Sequence, residues 1–514
     1  MNKNKQLIIN LITTIFVLLI NTLINFGLSS YIVEKIGEEA YGFISLATNF
    51  VSFATIFTTA LNSMCSRFIT IDIHKKNMKS ANEYFTSVLF ANALIILFLI
   101  VPSLIMILYL EKFIKISPNL IVDVKLLFTF IFLNFFVTLI SGVFTIATYC
   151  KNKLYLSSLR QAESYIVKLL VILGLFIFFK PEVFYVGVAT FISGIYLSLF
   201  NMYYTKKLLP EIKIKKENFS WKKIKILLSS GLWNSITNLG NVLTDGLDLL
   251  ISNLAIDSQV MGIVALAKLP GNVLNSMISS IMTVFQPPTL EYYAKDDIEM
   301  VVSETKRNMK ISGIFGNIPF AYILIFGSCF CMTWMPSTDT KILTILCIIT
   351  FINVYVGGLI SPLYNIFTIT NKVRLNAILN IGSGLLSTLI VLILLKTTNL
   401  GVYAVVGVST IIGLLKGFII VPIYAAKCLN RDWKEFMPSI LMYILTTLAI
   451  IVPIYILRLF YSPIGWMKIF MSIIISGFIG LIINGLILFT KEDRNVLKNT
   501  ILKKVGKKWK KMVK

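Results

Sequence analysis

The sequence predicts an all-α polytopic membrane protein of about fourteen transmembrane helices, and three observations lead there. Hydrophobic residues fill 56% of the 514 positions, and a mean hydropathy of +0.82 exceeds what a soluble core can bury. They gather in apolar stretches of about 20 residues or more, the length that crosses the hydrocarbon layer as a helix and too long for barrel strands. The short loops between them sort by charge: of 48 Lys and Arg, about 36 lie at one face and about 7 at the other. The positive-inside rule puts the crowded face, and with it both termini, in the cytoplasm, as expected of a multi-pass protein of the inner membrane.

The spans read 6–33, 40–65, 84–110, 121–149, 157–179, 183–204, 226–256, 260–287, 309–335, 341–369, 375–395, 402–424, 436–460 and 467–489. Lys3 and Lys5 precede the first, which is longer than a signal-peptide core and lacks a small-x-small cleavage site, so it reads as a retained helix. The outer connections, such as Glu34–Glu39, Lys180–Glu182 and Asp257–Gln259, are too short for an extracytoplasmic domain.

The longest inner connection, about Thr205 to Lys225, carries eight Lys and falls between spans six and seven, where a two-lobed transporter would join its halves. The expected division is an N-lobe at 1–204, a basic cytoplasmic loop at 205–225, a C-lobe at 226–424, two further helices at 436–489 and a basic tail at 490–514. At a constant offset of 220, Asn21-Thr-Leu-Ile-Asn25 faces Asn241-Val-Leu-Thr-Asp245, and Gly42-Phe-Ile-Ser-Leu46-Ala47 faces Gly262-Ile-Val-Ala-Leu266-Ala267. An even number of spans separates the copies, so both enter from the same side. The pseudo-twofold then runs along the membrane normal, as in parallel transporter repeats. From Lys498 to Lys514, six Lys flank Val505 and Trp509, the pattern of a basic helix on an anionic membrane surface.

The remaining composition excludes several function classes. A net charge of +24 is carried by inter-span loops and a tail, not by a soluble nucleic-acid-binding domain. The six Cys have no metal or redox spacing and read as small core residues, and the one His, His74, lies in a basic loop beside Lys75 and Lys76. There is no P-loop and no G-x-G-x-x-G between strand and helix, so the chain itself is not expected to hydrolyse ATP. No cofactor and no covalent catalysis are expected.

What lipid does not explain is a set of polar seams. Span seven carries Ser230, Asn234, Asn238, Asn241, Asp245, Asp248 and Ser252 at steps of three and four, which share one helical face. Span two repeats the pattern with Thr48, Ser52, Thr55, Thr59, Asn62 and Ser66. Span eight has Lys268, Asn272, Asn275 and Ser279, and span one has Asn10, Thr14, Asn21 and Asn25. Two readings stand: interhelical packing, with each bond contributing about 0.6 kcal/mol, or the wall of a water-filled cavity. Four seams on repeat-related helices favour the cavity.

Charges add to this, because an Asp or Lys at mid-helix costs about 2.5–3.5 kcal/mol on insertion scales and marks a partner or water. Asp248 and Lys268 lie at equal sequence distance from the outer turn between spans seven and eight, as an ion pair or as part of a substrate or coupling-ion site. In span five Ser157, Gln161, Ser164 and Lys168 align and put Lys168 near mid-membrane, while Arg160 and Glu163 form an i,i+3 pair. Lys416, between Gly413 and Gly417, either lines the second lobe or snorkels to the inner surface.

At Glu38-Glu39-Ala40-Tyr41-Gly42-Phe43, at Asn371-Lys372-Val373-Arg374 leading into a Gly/Ser-rich span, and at Gly401-Val402-Tyr403, the chain resembles polysaccharide transporters of the multidrug/oligosaccharidyl-lipid/polysaccharide exporter superfamily, and within it O-antigen and capsule repeat-unit flippases. The resemblance implies two MATE-like six-helix lobes around a cleft lined by helices one, two, seven and eight, with two extra C-terminal helices. It implies as cargo an undecaprenyl-diphosphate-linked oligosaccharide moved from inner to outer leaflet by alternating access. As partners it implies membrane lipids and the polysaccharide polymerase and chain-length machinery.

For such a cargo the expected cavity residues are Lys168, Lys268, Lys416, Asn21, Asn25, Thr55, Asn62, Asn234, Asn238 and Asn241, with Asp245 and Asp248 as an ion pair or a Na⁺ or H⁺ site. Amides and hydroxyls suit a sugar, and Lys suits a diphosphate. A multidrug antiporter or lipid II flippase of the same superfamily is the alternative. The antiporter is expected to carry a first-lobe carboxylate, whereas Asn21 and Asn25 stand where the second repeat has Asn241 and Asp245. An oligosaccharide polymerase would need a larger outer loop than any here.

Overall fold

The computed structural model describes residues 3–489, so the expected surface helix at Lys498–Lys514 lies outside the described residues. Thirteen long rods follow one another: α1 (Lys3–His74), α2 (Met78–Leu108), α3 (Ile121–Ser141, extended by turns to Cys150), α4 (Leu154–Phe178), α5 (Phe184–Leu208), α6 (Trp221–Asp245, extended to Ile256), α7 (Ser258–Ala294), α8 (Ile298–Trp334), α9 (Thr340–Ile369), α10 (Val373–Thr397), α11 (Val402–Leu415, extended to Cys428), α12 (Met437–Phe460) and α13 (Trp466–Ile483, extended to Leu488). Among the described residues twelve helices are long and apolar enough to cross a membrane. One of them, Phe16–Ile73, contains two of the fourteen expected spans, and α6 falls short of that apolarity because its polar seam lowers it.

The break within α1 sits at Gly37, whose φ of 87° and ψ of 165° are not helical. An added Cβ would meet nothing within 4 Å there, so the requirement is conformational and not steric. The expected outer connection at Glu34–Glu39 is therefore a tight kink at Gly37 between two helices, and the two halves of α1 supply spans one and two.

Large apolar side chains face outward along the rods: on α12, Leu441, Leu445, Leu448, Val452 and Leu459 are all exposed. In water such a face would aggregate; in a bilayer it is the lipid contact. All six cysteines are buried, as small core residues should be.

By their contacts the residues group into two compact units, Met1–Leu266 with Ala377–Val405, and Ala267–Asn376 with Val406–Lys514. The first joins α1–α6, the start of α7, and α10. Its basic connection after α5 is anchored rather than loose: the Ser220 amide donates to Ser87 Oγ at 2.9 Å, and Lys223 lies 3.7 Å from the Glu83 carboxylate. Leu209, Ile224 and Leu227 join Leu61, Cys65, Tyr84 and Phe85 in one buried cluster.

In the second unit α8, α9 and α12 meet around Tyr443, whose ring stacks on Tyr355 at 4.7 Å. Its hydroxyl donates to the carbonyls of Tyr355 and Gly313 at 2.9 and 3.2 Å. Close approach needs Gly316, where an added Cβ would lie 2.6 Å from the Tyr443 hydroxyl. α13 is held by Asn484, which exchanges amide hydrogen bonds with Asn317, and by Ser472 against the Tyr322 hydroxyl at 2.9 Å.

Candidate functional site

The polar seams of the first unit meet one another. Asn238 Nδ2 on α6 donates to Thr55 Oγ1 and Thr59 Oγ1 on α1 at 3.3 and 3.2 Å. One turn away Asn234 Nδ2 reaches Ser63 Oγ at 3.1 Å, and Ser235 Oγ donates to the Ile56 carbonyl at 2.9 Å. The rods come this close because Gly231 has no side chain: a Cβ would lie 1.9 Å from the Ala60 carbonyl oxygen. Farther along the same rods Asn49 Nδ2 donates to the Gly246 carbonyl at 3.2 Å.

The α6 seam does not serve one neighbour. Asn241 accepts from Asn380 Nδ2 of α10 at 3.2 Å, and Gly240 and Gly384 allow α6 and α10 to touch. α6 is thus held on one side by α1 and on another by α10, which is why the contacts carry α6 and α10 into the first unit. Packing bonds and a polar lining here belong to the same side chains.

Beside this seam lies a cavity of about 320 Å³ between α1 and the C-terminal end of α3. Thr55, Thr58, Asn62 and Ser66 line it from α1, and Thr138 and Thr145 from α3 and its extension. Its walls are braced by Asn92 of α2, which exchanges amide bonds with Asn62 at 3.1 Å and donates to the Leu139 carbonyl at 3.1 Å. Thr55 and Asn62 were expected at a cavity. Thr58, Thr138, Thr145 and Asn92 were not, although Thr138, Ser141, Thr145 and Thr148 recur at steps of three and four on span four.

The other expected residues are placed as follows. Asn25 Nδ2 donates to Asn21 Oδ1 at 2.8 Å, one turn apart on α1. Asn10 leaves the seam of span one to bind the turn after α3, accepting from the Tyr155 amide at 3.0 Å and donating to Asn152. Lys168 is half-buried on α4, 14 residues and so about 21 Å from its start, with no hydrogen bond or ion pair to any described residue. Arg160 and Glu163 do pair, and the Tyr196 and Tyr204 hydroxyls of α5 complete their bonding.

Asp248 is buried, with its backbone carbonyl accepting from Ser252 Oγ at 2.7 Å. The side chain of Asp245, like that of His74, lies outside what the structure describes. In the second unit Lys268 is half-buried. Lys416, also half-buried, opens a π-helical turn, Lys416–Ile420, a distortion common at functional sites. Its flanking glycines press on α9, Gly413 toward Asn353 and Gly417 toward Val356.

An uncharacterized membrane protein of Bacillus subtilis (strain 168), EpsK, is 26% identical over 440 residues, 84% of this chain and 86% of that one. A lipid II flippase, MurJ, in an inward closed conformation matches with a TM-score of 0.65 at 14% identity over 93% of this chain and 98% of its own. An inward-facing multidrug-resistance MATE transporter of the MOP superfamily also gives 0.65, at 15% identity over 82% and 99%. These two likenesses speak to the fold. The family profile of polysaccharide biosynthesis proteins matches residues 7–291, more than half of the chain, and this multi-pass membrane protein therefore belongs to the polysaccharide biosynthesis protein family.

Proposed function

We propose that the protein moves lipid-linked oligosaccharide repeat units, carried on undecaprenyl diphosphate, from the inner to the outer leaflet of the cytoplasmic membrane by alternating access, with both termini in the cytoplasm. The observation that carries this reading is Lys168: a half-buried membrane amine with no bonding partner among the described residues, in the unit that also holds the amide- and hydroxyl-lined seam. An unpaired charge in a span is costly and has its use when a counter-charge arrives. The diphosphate of the carrier is such a counter-charge, and Lys268 and Lys416 would serve it in the second unit.

The α1–α6 bonds fit the same cycle. They join neutral groups at 2.9–3.3 Å, so sugar hydroxyls can replace them at little net cost when the seam opens. Asn21, Asn25, Asn234 and Asn241 would then turn to the sugar. Asp245 and Asp248 are the carboxylates available for Na⁺ or H⁺ coupling, and polymerase and chain-length proteins would receive the cargo outside.

The MATE likeness and the buried Asp248 support a multidrug antiporter as the second reading. Against it, the lipid II flippase covers 93% of this chain where the MATE transporter covers 82%, a difference about the length of two helices. Deleting the gene in a polysaccharide-producing host separates the readings. A flippase leaves lipid-linked repeat units on the inner leaflet and no surface glycan; an antiporter leaves the glycan intact and the cells sensitive to cationic dyes.

A further inference from the structure

We propose that the cavity between α1 and α3 is a subsite for one uncharged sugar ring and that it excludes the phosphates of the carrier. This rests on the reading above for how the sugar arrives, and on the direction of the cavity's hydrogen bonds for what it accepts.

Each hydroxyl proton around the cavity that the structure fixes is already directed into a helix. Thr55 Oγ1 donates to the Ser52 carbonyl at 2.7 Å and Thr58 Oγ1 to the Thr55 carbonyl at 3.0 Å. Thr138 Oγ1 donates to the Asn134 carbonyl at 2.8 Å and Thr145 Oγ1 to the Gly142 carbonyl at 2.7 Å. The Asn62 amide donates to the Thr58 carbonyl at 3.0 Å and to Asn92 Oδ1 at 3.1 Å. Thr55 Oγ1 and Asn62 Oδ1 also accept from Asn238 and Asn92, so the lone pairs left to face the cavity are chiefly those of Thr58, Thr138 and Thr145.

Apart from the Ser66 hydroxyl and the Cys65 thiol, the polar lining is made of acceptors with no charged side chain, which favours a ligand that donates. Sugar hydroxyls donate; phosphate oxygens accept and would lose their hydration without replacement. The remaining wall is apolar, with Phe135 facing the space. A pyranose has such a division, a rim of hydroxyls and a C–H face that packs on an aromatic ring. About 320 Å³ is near the lower bound of small-molecule sites, the scale of a ring and not of a whole repeat unit. The Asn62–Asn92 brace keeps the three walls fixed, which a shape-selective subsite requires.

Saturation-transfer NMR on the purified full-length protein tests this with methyl glycosides of glucose, galactose and N-acetylglucosamine, alongside inorganic pyrophosphate, tetraphenylphosphonium and NaCl. At least one glycoside should bind, and Thr138→Val with Thr145→Val should weaken it about tenfold at an unchanged melting temperature. Should that variant unfold, alkylation of Cys65, which lines the cavity, supplies the readout in the unaltered protein: the glycoside should slow it and pyrophosphate should not. No glycoside binding, binding indifferent to both Thr residues, or displacement of the glycoside by pyrophosphate, tetraphenylphosphonium or Na⁺ would overturn the proposal. If lipid-linked cargo is still flipped after such a result, only the subsite is lost. If glycosides bind in a Thr138-dependent way but no lipid-linked cargo moves, the flippase reading fails and the subsite stands.

Discussion

Gly42 and Gly262, which occupy the same place in the two sequence repeats, pack against each other: a Cβ on Gly42 would lie 2.8 Å from Gly262 Cα. Equivalent positions of the two repeats thus touch directly within the first unit. Gly262 is the tighter member, with an added Cβ 2.2 Å from the Glu38 carbonyl oxygen. Gly262→Ala should lower stability by about 1–3 kcal/mol through this overlap. Gly27→Ala, where a Cβ would meet nothing within 4 Å, should leave the melting midpoint unchanged or slightly raised.

Gly37 separates conformation from space. Its surroundings are open, yet its φ of 87° and ψ of 165° lie in a region essentially reserved for Gly. Gly37→Ala should cost about 1–3 kcal/mol in detergent melts, and Gly37→Asn should do no better, because Asn tolerates the left-handed helical region and not this one. A neutral result for Ala would mean that the bend relaxes into a straight helix.

Tyr443 ties α12 to both α8 and α9 through one hydroxyl. Tyr443→Phe keeps the ring stack on Tyr355 and removes the single hydroxyl proton shared between two helix carbonyls that keep their intrahelical bonds, which should cost about 0.5–1.5 kcal/mol by denaturant or thermal unfolding. No loss would show that the ring packing alone holds α12 to α8 and α9.

Much of this architecture is legible in the sequence, because hydropathy and charge act locally along the chain. The spans, the short turns between them and the bend between spans one and two all follow from them. Which seam meets which is not legible. Asn238 finds Thr55 and Asn241 finds Asn380 across 183 and 139 residues, and no periodicity names a partner helix. The wall formed by Thr138 and Thr145 is not legible for another reason: single hydroxyls in so apolar a span have the pattern of packing groups. Asn10 illustrates the converse, a residue in phase with a seam whose amide is engaged by a turn at Asn152.

Asp248 and Lys268 should couple energetically if they pair in one state of the cycle, as their matched distance from the outer turn suggests. Asp248→Asn, Lys268→Gln and the double variant should then give strongly non-additive melting shifts, since each single change strands a charge. Additive shifts would show that the two never meet. Asp245→Asn should slow an ion-coupled step without changing which cargo is accepted.

The most direct test of the central claim is flipping itself. Purified protein in proteoliposomes, loaded with undecaprenyl-diphosphate-linked repeat units from a polysaccharide-producing strain, should expose the sugar of inner-leaflet molecules to an external glycan-modifying enzyme. Lys168→Ala, inserted at the same level, should slow that exposure at least about tenfold, the scale expected when a charge-assisted bond to the diphosphate is lost. No protein-dependent exposure, together with efflux of a cationic dye that needs Asp245 or Asp248 and ignores Lys168, would contradict the account.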